Sequence, residues 1–176
     1  MAEAGSLVCV LAGPTPSVEK LKPYTKGVLG RADLDFSGQP AGNATLQKII
    51  GNTFILNMIE QLSEGHTLAE KTGLGVHNLH AFVETMFPGP YAAYSQRMVE
   101  GDYYKREEPL FHVDLAIKDA GHAKDLAVRS GTKMPGLLVA DAHLAVVKEY
   151  LGDRGDIPSI YGAVRMESGL RFENGD

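Results

Sequence analysis

The feature that most restricts this chain is one unbroken helical pattern from Gly42 to Lys71. Apolar side chains at Leu46, Ile49, Ile50, Phe54, Ile55, Met58, Ile59, Leu62 and Leu68 recur at three- and four-residue steps. That is the period of a helix, not of a strand. About 30 residues of helix rise roughly 45 Å, longer than a core built from 176 residues needs. The rest of the fold has to be arranged round this rod. Its apolar positions lie on more than one side, which predicts burial on several faces, some of it against a partner subunit.

The flanking segments predict a mainly α architecture. Leu7 to Leu11 is a short apolar run suited to a buried strand, with Cys9 as a structural thiol. Gly13-Pro14 ends it, and Thr15-Pro16-Ser17 reads as a hydroxyl-capped helix start running to about Leu29. Ala32 to Phe36 reads as a second strand. After the long helix, the pattern predicts helices near Val76–Phe87, Tyr91–Glu100, Glu108 or Leu110 to Ser130, and Pro135–Leu151. A short final helix follows over Ile157–Met166, then a frayed tail from Phe172. The fold class is a helical bundle round one very long helix, with a small strand-helix-strand piece at the amino terminus.

Bulk properties exclude several classes. The net charge of -5 and the scattered basic residues argue against nucleic acid. No apolar run approaches the roughly 18 residues of a membrane span. The first residues lack the features of a secretory signal, so the expected location is cytoplasmic. One cysteine permits no internal disulfide. His77 and His80 are spaced as metal ligands can be, but no third ligand is signalled and HExxH is absent, so no metal is expected.

Two polar pairs interrupt the apolar pattern. Lys48 and Asn52 stand four residues apart, and Ile55, Ile59 and Leu62 continue their face. Either Lys48 snorkels to water while Asn52 caps locally, or the lysine serves as general acid/base at a carbonyl or alcohol oxygen that the amide orients. Lys118 and Asp119 lie on a helix whose inward face reads as Phe111, Leu115, Ala123 and Ala127. A solvated charged face is the simpler reading there.

Taken together, these segments resemble the β-hydroxyacid dehydrogenases, the 3-hydroxyisobutyrate dehydrogenase family, whose helical domain is related to that of 6-phosphogluconate dehydrogenase. The stretch Gly38 to Asn52 is similar to the family's glycine-rich entry to the long helix, with the catalytic lysine and an asparagine four residues on. FHVDLAIKDAGHA is similar to the family pattern F-x-x-x-L-x-x-K-D-x-x-x-A. Gly5 to Gly13 resembles a late strand of the cofactor domain, and Gly152 to Ile160 the final loop and helix. Gly51 departs from the pattern, since the family often carries a second asparagine there.

The resemblance implies roles. Lys48 and Asn52 would be the catalytic lysine and its amide partner, Lys118 the lysine beside the nicotinamide end of a bound NAD(P), and Asp119 structural. Residues 1–38 would be a remnant of the cofactor-domain sheet and 39–176 the substrate-binding and dimerisation domain. A homodimer through the long helix and a small-molecule substrate are implied. The G-x-G-x-x-G turn of the dinucleotide domain is absent from these residues. The isolated chain is therefore expected to bind no cofactor and to be redox-incompetent alone. Two alternatives stay open: a cofactor-independent isomerase, lyase or cyclase using a helical cavity, and a non-catalytic dimeric scaffold.

Overall fold

The computed structural model describes residues 3–175. The chain divides into two compact units, Met1–Gly51 and Asn52–Asp176.

In the first unit β1 (Leu7–Gly13) and β2 (Gly30–Ser37) pair in parallel, Cys9 opposite Asp33 and Leu11 opposite Asp35, with α1 (Thr15–Thr25) as the crossover. The β2 start requires glycine: a Cβ on Gly30 would sit 2.5 Å from the Leu7 carbonyl oxygen. The crossover helix is shorter than its sequence pattern predicts. Lys26 is extended and Gly27 has φ +85°, so the chain turns back toward β2, and Thr25 Oγ1 donates to Asp33 Oδ2 at 2.7 Å. The expected hydroxyl cap is not made, because Pro14 takes the N-cap position without a side-chain bond.

Helix α2 (Gly42–Lys71) is the predicted rod, and the division between the units falls within it. The second unit continues with α3 (Val76–Met86), α4 (Pro90–Val99), α5 (Asp102–Lys105), α6 (Val113–Ser130), α7 (Pro135–Leu151) and α8 (Ile160–Glu167). Its core comprises Leu56, Ile59 and Leu62 of α2, Met98, Tyr103, Ala116, Ala120, Leu137, Leu144, Ile160 and Tyr161. No helix among the described residues is long and apolar enough to cross a membrane.

Helix α2 buries a broad arc that includes Leu56, Met58, Ile59, Leu62 and His66, while Phe54 is 72% and Leu68 64% exposed. Two expectations are corrected. Helix α6 starts at Val113 rather than near residue 108 or 110, since Pro109 and the bonds from the Leu110 and Phe111 amides to Asp156 hold that segment out of the helix. Its inward face is Val113, Ala116, Asp119, Ala120 and Ala123, with Leu115 exposed. The tail is not frayed at Phe172. That ring is buried and stacked on Tyr150 at 4.1 Å, and its carbonyl accepts the Tyr103 hydroxyl at 2.6 Å.

Candidate functional site

The second unit joins two residues that lie 67 positions apart. Asn52 of α2 donates its amide Nδ2 to Asp119 Oδ2 of α6 at 2.6 Å. Lys118 Nζ lies 3.2 Å from the other oxygen, Asp119 Oδ1. The carboxylate is 4% exposed, while the Lys118 side chain is 52% exposed. Asp119 is therefore a buried carboxylate whose Oδ2 accepts from Asn52 and whose Oδ1 forms an ion pair with Lys118. An ionised carboxylate only accepts, so the amide end of Asn52 must face it. That fixes the orientation of the side-chain amide.

Lys48 lies four residues before Asn52 along α2 and is exposed. The structure thus assembles Asn52 and Lys118, and leaves Lys48 accessible on the first turns of its helix. The shared carboxylate is the part that sequence reading undervalued. Its signal was an acidic residue at the position of an alanine-rich inward stripe, beside a lysine.

Of the histidine pair His77 and His80, the second meets a serine hydroxyl together with a third histidine. His80 Nδ1 lies 2.8 Å from Ser95 Oγ, and His66 Nε2 approaches the same oxygen at 2.8 Å. His112, Asp114 and Asp153 come close enough to share a cation. The Lys148 ammonium already bridges those two carboxylates at 2.9 and 3.0 Å.

No family model matches the chain. The NADH-dependent oxidoreductase ucdB of Aspergillus ustus is 37% identical over 173 residues, which is 98% of this chain and 57% of that protein. Two solved 3-hydroxyisobutyrate dehydrogenases share the fold with TM-scores of 0.76. One, from Salmonella typhimurium, is 21% identical, covering 91% of this chain and 55% of its own. The other, from Mycobacterium tuberculosis, is 19% identical, covering 93% and 57%. The chain is similar to part of an oxidoreductase and shares the fold of part of these 3-hydroxyisobutyrate dehydrogenases. It spans about half the length of the curated relatives it matches.

A relative named an NADH-dependent oxidoreductase raises the question of a dinucleotide, and the strand-to-helix turns of this chain test the fit. A pyrophosphate needs a row of free backbone N–H groups at a helix start. At the β1–α1 turn Pro14 and Pro16 have no N–H, and the Ser17 and Val18 amides both bond the Pro14 carbonyl. At the β2–α2 turn the Gly38, Gln39, Asn43 and Ala44 amides bond Gly13, Phe36, Pro40 and Ala41. Neither turn fits a dinucleotide's phosphates.

Proposed function

We propose that the chain is the helical substrate-binding and dimerisation part of an NAD(P)-dependent β-hydroxyacid dehydrogenase-like oxidoreductase. In this reading it performs redox chemistry only with a dinucleotide-binding unit. The observation that carries it is the meeting of Asn52 and Lys118 on one buried carboxylate, since both were singled out as site groups from separate segments. Asn52 presents its carbonyl and N–H to the alcohol or carbonyl oxygen of a short hydroxy acid. Lys48 exchanges the proton of that oxygen as general acid/base. Lys118, anchored by Asp119 and open to solvent, faces the nicotinamide end of a cofactor supplied from elsewhere. The dimer forms through the exposed apolar stripe of α2, on which Phe54 and Leu68 lie.

The test is titration of the chain with 3-hydroxyisobutyrate, followed by backbone and side-chain amide NMR. Shifts centred on the Asn52 side-chain amide and on Lys118, weakened at least tenfold by Asn52→Ala or Lys48→Ala, are expected; a tenfold loss corresponds to about 1.4 kcal/mol, within what one charged hydrogen bond contributes. Saturable shifts elsewhere, untouched by both variants, would remove the proposal.

A further inference from the structure

Three imidazoles gather where the α3–α4 hairpin meets α2. His66 of α2 and Ser95 of α4 are fully buried, His80 of α3 is half-buried, and His77 lies three residues earlier on α3. Ser95 Oγ sits 2.8 Å from both His66 Nε2 and His80 Nδ1. A hydroxyl owns one hydrogen, so it donates to one ring and accepts from the other. The two arrangements differ in cost. His66 Nδ1 is buried without a hydrogen-bond partner. An orphaned N–H at such a place is less well tolerated than a bare lone pair. The hydrogen of His66 therefore sits on Nε2 and is donated to Ser95. Ser95 in turn donates to His80 Nδ1, and His80 keeps its hydrogen on Nε2.

This chain of bonds needs a neutral His80, and a neutral His66 keeps charge out of the buried end. A proton on His80 Nδ1 turns an acceptor into a donor. Ser95 must then swing to His66, whose hydrogen is driven onto the orphaned Nδ1. A proton on His66 itself makes a buried imidazolium, and burial together with His80 and His77 holds that ring down at about 4.

The surroundings do not offset such charge. On α2, Glu70 is taken by Arg165 of α8. On α8, the Tyr161 ring lies 5.9 Å from His66 as a neutral phenol, with the Arg165 guanidinium 5.4 Å from that ring. On α4, Arg97 is paired with Asp102 and Asp156. On α3, Glu84 is exposed, one turn past His80. Among the described residues no carboxylate hydrogen-bonds any of the three rings. The packing under the hairpin is also incomplete. Leu62 and Gly65 of α2 with Leu79, Phe82 and Tyr91 line a cavity of about 310 Å³, at whose edge the Tyr91 hydroxyl donates to Gln61 of α2 at 2.9 Å.

We propose that the His66–Ser95–His80 chain is a proton-sensitive clasp, which holds the α3–α4 hairpin on α2 while both rings are neutral and releases it when either is charged. His66, held down at about 4 in the clasped form and returning to the ordinary value of about 6.5 on release, favours release roughly thirtyfold at about pH 5 relative to about pH 7.5. Hydrogen exchange of the full chain, corrected for the intrinsic effect of pH, reads this directly. The α3 and α4 amides are expected to lose protection by at least that factor relative to α6 and α7. The double variant His66→Gln, His80→Asn keeps amide groups near the two bonding positions but cannot titrate, and it should show no such loss. Parallel protection of all four helices at both pH values, or an equal loss in the double variant, would overturn the proposal. Should that variant fail to fold, the ring nitrogens of the unaltered chain decide by ¹⁵N NMR: His66 protonated on Nε2 and His80 bare on Nδ1 at neutral pH supports the clasp, and the reverse tautomers overturn it.

Discussion

Removing the Asp156 carboxylate tests how the second unit is held together. The residue is 1% exposed and its two oxygens meet four donors. Oδ1 accepts the amides of Phe111 at 3.1 Å and Ile157 at 2.8 Å. Oδ2 accepts the Leu110 amide at 2.8 Å and Arg97 Nη2 at 2.7 Å. Asp156→Ala leaves the Leu110 and Phe111 amides short of a partner, while Ile157 N–H keeps the Phe111 carbonyl, and strands a guanidinium only 16% exposed. Truncating one partner of a buried ion pair costs about 3–5 kcal/mol. Arg97 keeps Asp102 at 2.6 Å, and water entering the vacated space satisfies part of the amides, so the sum of separate penalties would overshoot. A loss of about 3–4 kcal/mol is expected, a large share of the usual 5–15 kcal/mol. Asp156→Asn should lose about half as much, because its carbonyl still accepts while its NH₂ faces a donor. Urea unfolding followed by far-ultraviolet circular dichroism measures both, provided the slope m is unchanged. A loss under about 1 kcal/mol for Asp156→Ala would refute the reasoning, showing that the irregular 106–112 segment needs no buried carboxylate.

Two histidines should move stability in opposite directions with pH. His66 is held down at about 4 by burial, so between about 6.5 and 4 the unfolded chain binds the extra proton. Stability falls with acid over that window by roughly 3 kcal/mol, and His66→Gln should flatten the fall in a pH series of denaturant midpoints. His143 donates from Nδ1 to Glu60 and from Nε2 to Glu167, and the first of these bonds, more than any other effect, raises its pKa. Its contribution is fully present below about 6.5 and is lost as pH rises through the folded value; Glu60→Gln should remove that upper dependence from the same series. A Cβ on Gly162 of α8 would lie 2.5 Å from the Phe172 ring, so Gly162→Ala should cost about 1–3 kcal/mol by overpacking. Loss of the Tyr150–Phe172 contact in NMR would accompany it.

Much of the architecture was legible because it rests on local periodicity. The 42–71 rod, the helices that follow and the short strand at Leu7–Gly13 depend on spacing, glycine and proline, all carried by neighbouring residues. Helix ends that depend on distant partners were misplaced. Helix α6 begins at Val113 because Asp156, more than 40 residues later, captures the preceding amides. Its inward face was rotated in the sequence reading because alanines at 116, 120 and 123 carry too little hydrophobic signal to outweigh Phe111 and Leu115.

Sequence alone determined the mainly helical class, the rod, and the pairing of a lysine and an amide at its start, since helical spacing dictates which side chains share a face. Tertiary structure decided that Asn52 and Lys118 share the buried Asp119, that Phe172 closes the core, and that two histidines meet on one serine hydroxyl. Those contacts join residues tens of positions apart, and no local period encodes which distant donor a buried acceptor will meet.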